Sequence, residues 1–117
     1  MMPMPPTLDA ATLDELRMAA GVEFVVELVQ TFFEEAPTML AELRTAHAAG
    51  QAQAFIRAAH SLKSNSQTFG ALALGEQARA LELGGLPCEA SALDALEAEY
   101  ARATEALLNQ IRDQTHG

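Results

Sequence analysis

The residues of this chain best equipped for chemistry lie in one short run, Ala58-Ala59-His60-Ser61-Leu62-Lys63-Ser64-Asn65-Ser66-Gln67-Thr68-Phe69-Gly70-Ala71. Placed on a helix at about 100° per residue, Phe55, Ala58, Ala59, Leu62, Ser66 and Phe69 gather on one side, and His60 falls opposite the centre of that side. The core does not need this histidine, so it is expected to project into solvent. Its neighbours on the helix surface are the residues three and four positions away. These are Ile56, Arg57, Lys63 and Ser64, with Gln67 one turn further on. A neutral imidazole is a nucleophile near neutral pH, because its unperturbed pKa is about 6.5. Lys63 is the only lysine in the chain. A cation one turn from an imidazole can stabilise the charge of a phosphoryl group that arrives there. Ser64 is small, so a partner's active site could come close to the ring. The plainer alternative stays open at this point, since an exposed histidine near a lysine needs no special cause on a solvated helix.

The elements that must position this histidine are helical. Ala, Leu, Glu, Gln and Arg dominate the composition, and these are good helix formers. Nowhere do apolar and polar residues alternate long enough to suggest a strand. Thr12-Leu13-Asp14-Glu15 has the form of a capping box that opens a short helix ending at Gly21. A second helix is expected over 22–49, with Val25, Leu28, Val29, Phe32, Ala36, Leu40 and Leu43 as its buried stripe. Pro37 lies inside it and predicts a kink or a break. The third helix, over about 51–69, carries His60 and closes at Gly70. A fourth runs over about 71–83, and Gly84-Gly85 with Pro87 stops it. Ser91 and Asp94 suggest a capping box for the last helix, whose inward stripe is Leu93, Leu96, Tyr100, Ala103, Leu107 and Ile111. Short connections favour antiparallel neighbours. The predicted fold is therefore all-α: an up-down antiparallel four-helix bundle with a short additional N-terminal helix. Residues 1–11 are expected to be a poorly ordered Pro-rich start, 12–112 the bundle, and 113–117 a frayed tail.

Composition excludes several function classes. The chain has 117 residues, the size of one domain, and half of them are apolar, enough for one sizeable core. Its net charge is −9 with only seven basic residues, so no Lys/Arg cluster exists to displace counterions from nucleic acid, and an acidic membrane surface would repel it. No stretch approaches the roughly 20 apolar residues that span a bilayer, and the first six residues do not form a signal peptide. A cytoplasmic location is the default. A lone cysteine, Cys88, gives neither a disulfide nor a metal framework. His47 sits where a helix C-terminus favours a cation, and His116 lies in the tail; neither belongs to a metal-ligand pattern, so no metal site is expected. A Gly-rich nucleotide loop, a P-loop lysine pattern and an Asp constellation for Mg²⁺ are all missing.

The run Ala59-His60-Ser61-Leu62-Lys63-Ser64-Asn65-Ser66, closed by Gly70-Ala71, resembles the signature of histidine phosphotransfer (HPt) domains, A-H-x-L-K-[GS]-x-[SA]-x-x-x-G-A. Phe32 with Ala36-Pro37 ahead of the histidine, and Leu74 with Leu81-Glu82 after it, extend the resemblance over roughly residues 22–85. The resemblance implies an HPt-like bundle in which His60 is phosphorylated on Nε2 and Lys63 is the cation beside the phosphoryl group. It places serine, at Ser64, where many members have glycine. It also implies that Glu82 hydrogen-bonds Nδ1 of His60, fixing the tautomer and leaving Nε2 free to attack. Ile56, Arg57, Ser64 and Gln67 would belong to the docking surface around it.

On the same resemblance the chain relays and does not start phosphoryl transfer. It would need no cofactor of its own, the Mg²⁺ being supplied by the partner receiver domain. Response-regulator receiver domains and a sensor histidine kinase would be the partners, with no nucleic acid or membrane, and the chain would be a monomer. The alternatives are a non-catalytic helical-bundle interaction module, the same domain excised from a larger sensor kinase, and a kinase phosphoacceptor hairpin. The last normally has an acidic residue directly after the histidine, where this chain has Ser61.

Overall fold

A computed structural model of the chain describes residues 5–86 and 89–115, with the side chains of 113–115 excepted. Five helices follow one another: α1 (Ala10–Ala20), α2 (Val22–Ala49), α3 (Ala52–Thr68), α4 (Leu72–Gly84) and α5 (Ser91–Thr115). Each packs on the next in sequence, and α5 closes the ring by packing against α2 as well as α4. Helices α2 to α5 thus form a four-helix bundle, and α1 lies against α2.

The predicted stripes are the ones that meet in the middle. Val25, Val29, Phe32, Ala36 and Leu43 of α2 are buried, while Leu28 and Leu40 are half-buried at the edges. From α3 come Phe55, Ala58, Ala59, Leu62 and Ser66, with Phe69 just beyond its end. Leu93, Leu96, Ala103 and Leu107 of α5 are buried, and Tyr100 and Ile111 pack beside them. Phe32 is the junction of three segments, with its ring centroid 5.4 Å from that of Phe69 and 5.9 Å from that of Tyr100. On the outer edge between α2 and α5, Arg44 donates to both carboxylate oxygens of Glu97, 2.9 Å each, and also to Asp94. These bonds hold the Arg44 guanidinium above its ordinary pKa, Glu97 first and Asp94 second.

Four local expectations are corrected. Pro37 does not break α2, which is helical from end to end. Proline removes a donor to the carbonyl of Phe33, but the helix continues through it, with Phe32 and Ala36 before it and Leu43 after it buried in one core. The first helix does not begin with a Thr12–Glu15 capping box. Asp9 is the N-cap, and the Thr12 hydroxyl donates to its carboxylate (2.8 Å), so the helix starts three residues earlier. At α5 the Ser91 hydroxyl donates to the side chain of Glu89 (3.2 Å), while the carbonyl of Ala90 accepts from the amides of Leu93 and Asp94.

The fourth correction concerns the Pro-rich start. Residues 5–9 are tied to the α3–α4 turn: the Ala73 amide donates to the Pro6 carbonyl (3.0 Å) and the Asp9 amide to the Gly70 carbonyl (2.7 Å). Leu8 packs against the core. Residues 1–4, and Pro87, Cys88 and His116, lie outside the described residues. Helix α5 continues past Arg112 to Thr115.

The turn that carries this tie depends on one glycine. The amide of Ala71 donates to Ser66 O (2.9 Å) and that of Gly70 to Gln67 O (3.2 Å), a Schellman closure of α3 with Gly70 at φ +78°. A Cβ at Gly70 would stand 2.6 Å from the Asp9 carbonyl oxygen. Gly50 closes α2 in the same way, at φ +68°, but open space surrounds it. Gly50→Ala is expected to cost only the left-handed backbone penalty, about 1–2 kcal/mol. Gly70→Ala should cost distinctly more, because the N-terminal segment must also move. Urea unfolding of both variants checks this, and equal losses would show that the Asp9–Gly70 contact does not matter.

Candidate functional site

Helix α3 presents His60 as its sequence pattern requires. The opposite face, Ala59 and Leu62 among others, is fully buried, and the His60 side chain is 59% exposed. What the helix alone does not determine is the partner from α4. The two helices run antiparallel, and Gly75 is the point of close approach: a Cβ there would lie 3.2 Å from Gln67 Cγ and 3.7 Å from Ser66 Cβ. Seven residues on from Gly75 along α4 is Glu82. Seven residues back from Gln67 along α3 is His60. Two helical turns on each side therefore bring the carboxylate beside the imidazole.

The distances define a three-membered cluster. Glu82 Oε1 lies 3.0 Å from His60 Nδ1, and Oε2 lies 3.2 Å from it. Lys63 Nζ donates to Oε2 at 2.9 Å and to Oε1 at 3.4 Å. Glu82 and Lys63 are about four-fifths buried, so the pair is partly shielded from solvent while the imidazole stands proud of it. The Lys63 hydrogen bond first, and the His60 hydrogen bond second, hold the Glu82 carboxyl below the usual carboxylate range. An ionised carboxylate only accepts hydrogen bonds. Nδ1 must then carry the ring proton, and Nε2 keeps its lone pair on the exposed side.

This arrangement gives stability a defined pH dependence. The folded value of Glu82 is depressed from its ordinary 4.5. Its contribution is therefore complete above the unfolded value and is lost as pH falls through the folded one. Wild type should be more stable than Glu82→Gln at neutral pH, and the gap should close as acid is added below about pH 4. Urea midpoints of both proteins across that range test it; a gap that stays constant would mean that the charge contributes nothing.

The structure brings both His60 and Lys63 against Glu82. The remaining residues singled out from sequence stay on the α3 surface: Ile56, Arg57, Ser64 and Gln67 are all exposed. Gln67 is two turns from His60 and lies over Gly75, so it belongs to the α3–α4 seam more than to the imidazole's immediate rim. Two features escaped the sequence reading. One is Gly75, for which the only signal was a small residue inside an apolar helix. The other is the contribution of α2: Thr38, Ala41 and Glu42 face Arg57 and Ser61 across an open groove that runs along the His60 helix. Their polar, outward positions carry no signal distinguishing them from any solvated face. Among the described residues, no group of three or more His, Cys, Asp or Glu side chains could hold a metal ion, and no helix is long and apolar enough to cross a membrane.

Comparison with known proteins agrees with this geometry. No curated protein matches the chain significantly. Among solved structures, histidine-containing phosphotransfer protein B (HptB) from Pseudomonas aeruginosa PAO1 superposes with a TM-score of 0.85 at 27% identity, over 92% of this chain and 96% of that one. The model of the Hpt domain matches residues 27–114, three-quarters of the sequence and all of α3, α4 and the His60 cluster. The chain belongs to the Hpt domain family.

Proposed function

We propose that this chain carries phosphoryl groups on His60 between receiver-domain aspartates. The similar Pseudomonas aeruginosa protein is a histidine-containing phosphotransfer protein, and membership of the Hpt family gives a phosphorelay role here too. The observation that carries the assignment to His60 is its pairing with Glu82, 3.0 Å from Nδ1, which leaves Nε2 unpaired by the cluster and open to solvent.

In this reading Nε2 attacks the phosphorus of a receiver phospho-aspartate in line. The P–O bond to the aspartate breaks, and the carboxylate leaves with the electron pair. Lys63 offers a cation to the phosphoryl oxygens. The rigid α3 face supplies the positioning, which is the larger part of such catalysis. Among the described residues no group of His, Cys, Asp or Glu side chains could hold a metal ion, and in this reading the receiver brings the Mg²⁺. Receiver domains and a sensor histidine kinase are the partners, the chain works in the cytoplasm as a monomer, and it is a carrier more than an enzyme in its own right. Arg57, Ile56 and Ser64 form the rim that a receiver would touch.

Incubation with a phosphorylated receiver domain tests the proposal. The expected result is label on the chain that is lost in acid and retained in base. No label from a panel of receivers, with the helical circular dichroism intact, would favour a bundle that binds partners without phosphate chemistry.

A further inference from the structure

Lys63 stands beside the ring with its charge already engaged. Its ammonium lies 2.9 Å and 3.4 Å from the two carboxylate oxygens of Glu82, so on the α4 side of His60 one positive charge meets one negative charge. A phosphoryl group on Nε2 brings a charge of about −2 to that spot, and the α4 side offers it no net compensation. Helix geometry puts the next cation on the other side. Arg57 comes three residues before His60 and Lys63 three after it, so the two project about 60° to either side of the imidazole, each one turn away. The contacts agree: Lys63 meets Glu82 of α4, while Arg57 lines the groove against Thr38, Ala41 and Glu42 of α2.

Arg57 is exposed, and among the described residues it forms no ion pair. Arg17, Arg44, Arg79 and Arg102, by contrast, each pair with a carboxylate. Ser64, on the same side of the ring as Arg57, is small and exposed, so nothing bulky stands in the way. We propose that Arg57 is a second phosphoryl-holding residue, which closes its guanidinium on the oxygens of the group carried by His60 Nε2, opposite Lys63. This inference rests on His60 being the phosphoryl carrier. A guanidinium suits the task because it is always charged and its planar fork can reach two phosphoryl oxygens at once.

The other charges nearby do not supply what Arg57 does. On α4, Arg79 is one turn before Glu82 and is engaged with Glu76 at 3.4 Å. On α2, Glu42 shares the groove with Arg57 but makes no ion pair with it, so the guanidinium can leave the groove without breaking one. Arg57 exchanges no proton in the reaction. The Nε2 lone pair forms the new P–N bond, the donor's bond to phosphorus breaks, and that electron pair leaves with the donor. Arg57 offsets the charge spread over the three oxygens that stay on phosphorus.

The test loads the full chain with phosphoramidate alone and follows uptake by intact mass for wild type and Arg57→Gln. With no receiver present, a residue that serves only in docking has nothing to touch. Glutamine is a good helix former and position 57 is exposed, so the fold should be kept. Arg57→Gln should load about tenfold more slowly than wild type, the worth of one hydrogen bond to a charged group. In nitrogen-15 NMR the Arg57 Nε–H signal, assigned by its absence from Arg57→Gln, should shift when wild type is loaded and stay in place in His60→Gln treated alike. That signal separates contact with the phosphoryl group from mere attraction of an anionic donor. Loading of Arg57→Gln at the wild-type rate, whatever its rate with a receiver, would reduce Arg57 to a docking contact and overturn the inference, as would an Nε–H signal that ignores loading. A wild type that loads and shows the shift but exchanges with no phosphorylated receiver would sink the relay and leave the role of Arg57 standing. A His60 that phosphoramidate cannot load would sink both.

Discussion

His60→Gln is expected to take up no phosphoryl label from a phosphorylated receiver under conditions in which the wild type loads fully. The loss is total because the amide nitrogen of glutamine has its lone pair in resonance with the carbonyl, and the amine of Lys63, one turn away, is tied to Glu82. The fold should not suffer. The side chain is more than half exposed, its helix is anchored by Phe55, Ala59 and Leu62 on the far side, and surface replacements of this kind change stability by about 0.5 kcal/mol or less. Label uptake and a urea unfolding curve, measured on the same preparation, separate the two effects. Residual labelling of the variant would place the phosphoacceptor elsewhere, and His47 would be the next residue to replace.

Phe32→Ala should be the most damaging single change to the scaffold. The ring is 1% exposed and touches aromatic side chains from three directions, Phe33, Phe69 and Tyr100. Removing it leaves a cavity where α2, the end of α3 and α5 meet. Substitutions of this type cost about 3–5 kcal/mol, a large part of the 5–15 kcal/mol that ordinarily holds a domain together. Phe69 packs on Phe32 directly before the Gly70 turn, so the α3–α4 connection should loosen as well. Chemical denaturation gives the loss. A cost below about 1 kcal/mol would mean that the three segments collapse onto the gap, and that the aromatic junction is not what joins them.

Much of this was legible in the residues because it depends on periodicity. The Phe55–Phe69 stripe predicted both the buried face of α3 and the outward direction of His60, and the structure agrees residue by residue. The glycines at 21, 50 and 70 marked helix ends correctly, since a positive φ is a property of the residue and not of its surroundings. The failures share a different physics. At Asp9 and Ala90, the helix starts were settled by which nearby group could reach the free amides, and several serines, threonines and acids competed for that role. At Pro37, a local penalty was outweighed by burial on either side. The Pro-rich segment was misjudged because its anchor, the Gly70 turn, lies some sixty residues away in sequence. The His60–Glu82 pairing came from family resemblance, not from spacing. No rule of helix periodicity places a carboxylate on α4 against a ring on α3, because that requires the distance and stagger between two helices, which here approach closely at Gly75.

That glycine gives the site a remote adjustment. The gap between α3 and α4 at Gly75 is closed to the point that one added carbon meets Gln67 at 3.2 Å, whereas the carboxylate and the imidazole sit about 10 Å further along, two turns away. The carbon's nearest neighbour is the exposed Gln67 side chain, which can move aside, whereas Ser66 Cβ and the Lys63 carbonyl oxygen stand at 3.7 and 3.8 Å, ordinary contact distances. Alanine therefore fits at position 75, and a bulkier side chain would press on α3 itself, at the carbonyl of the lysine that holds Glu82. A residue that touches neither the ring nor its carboxylate thus bears on the seam in which both are set.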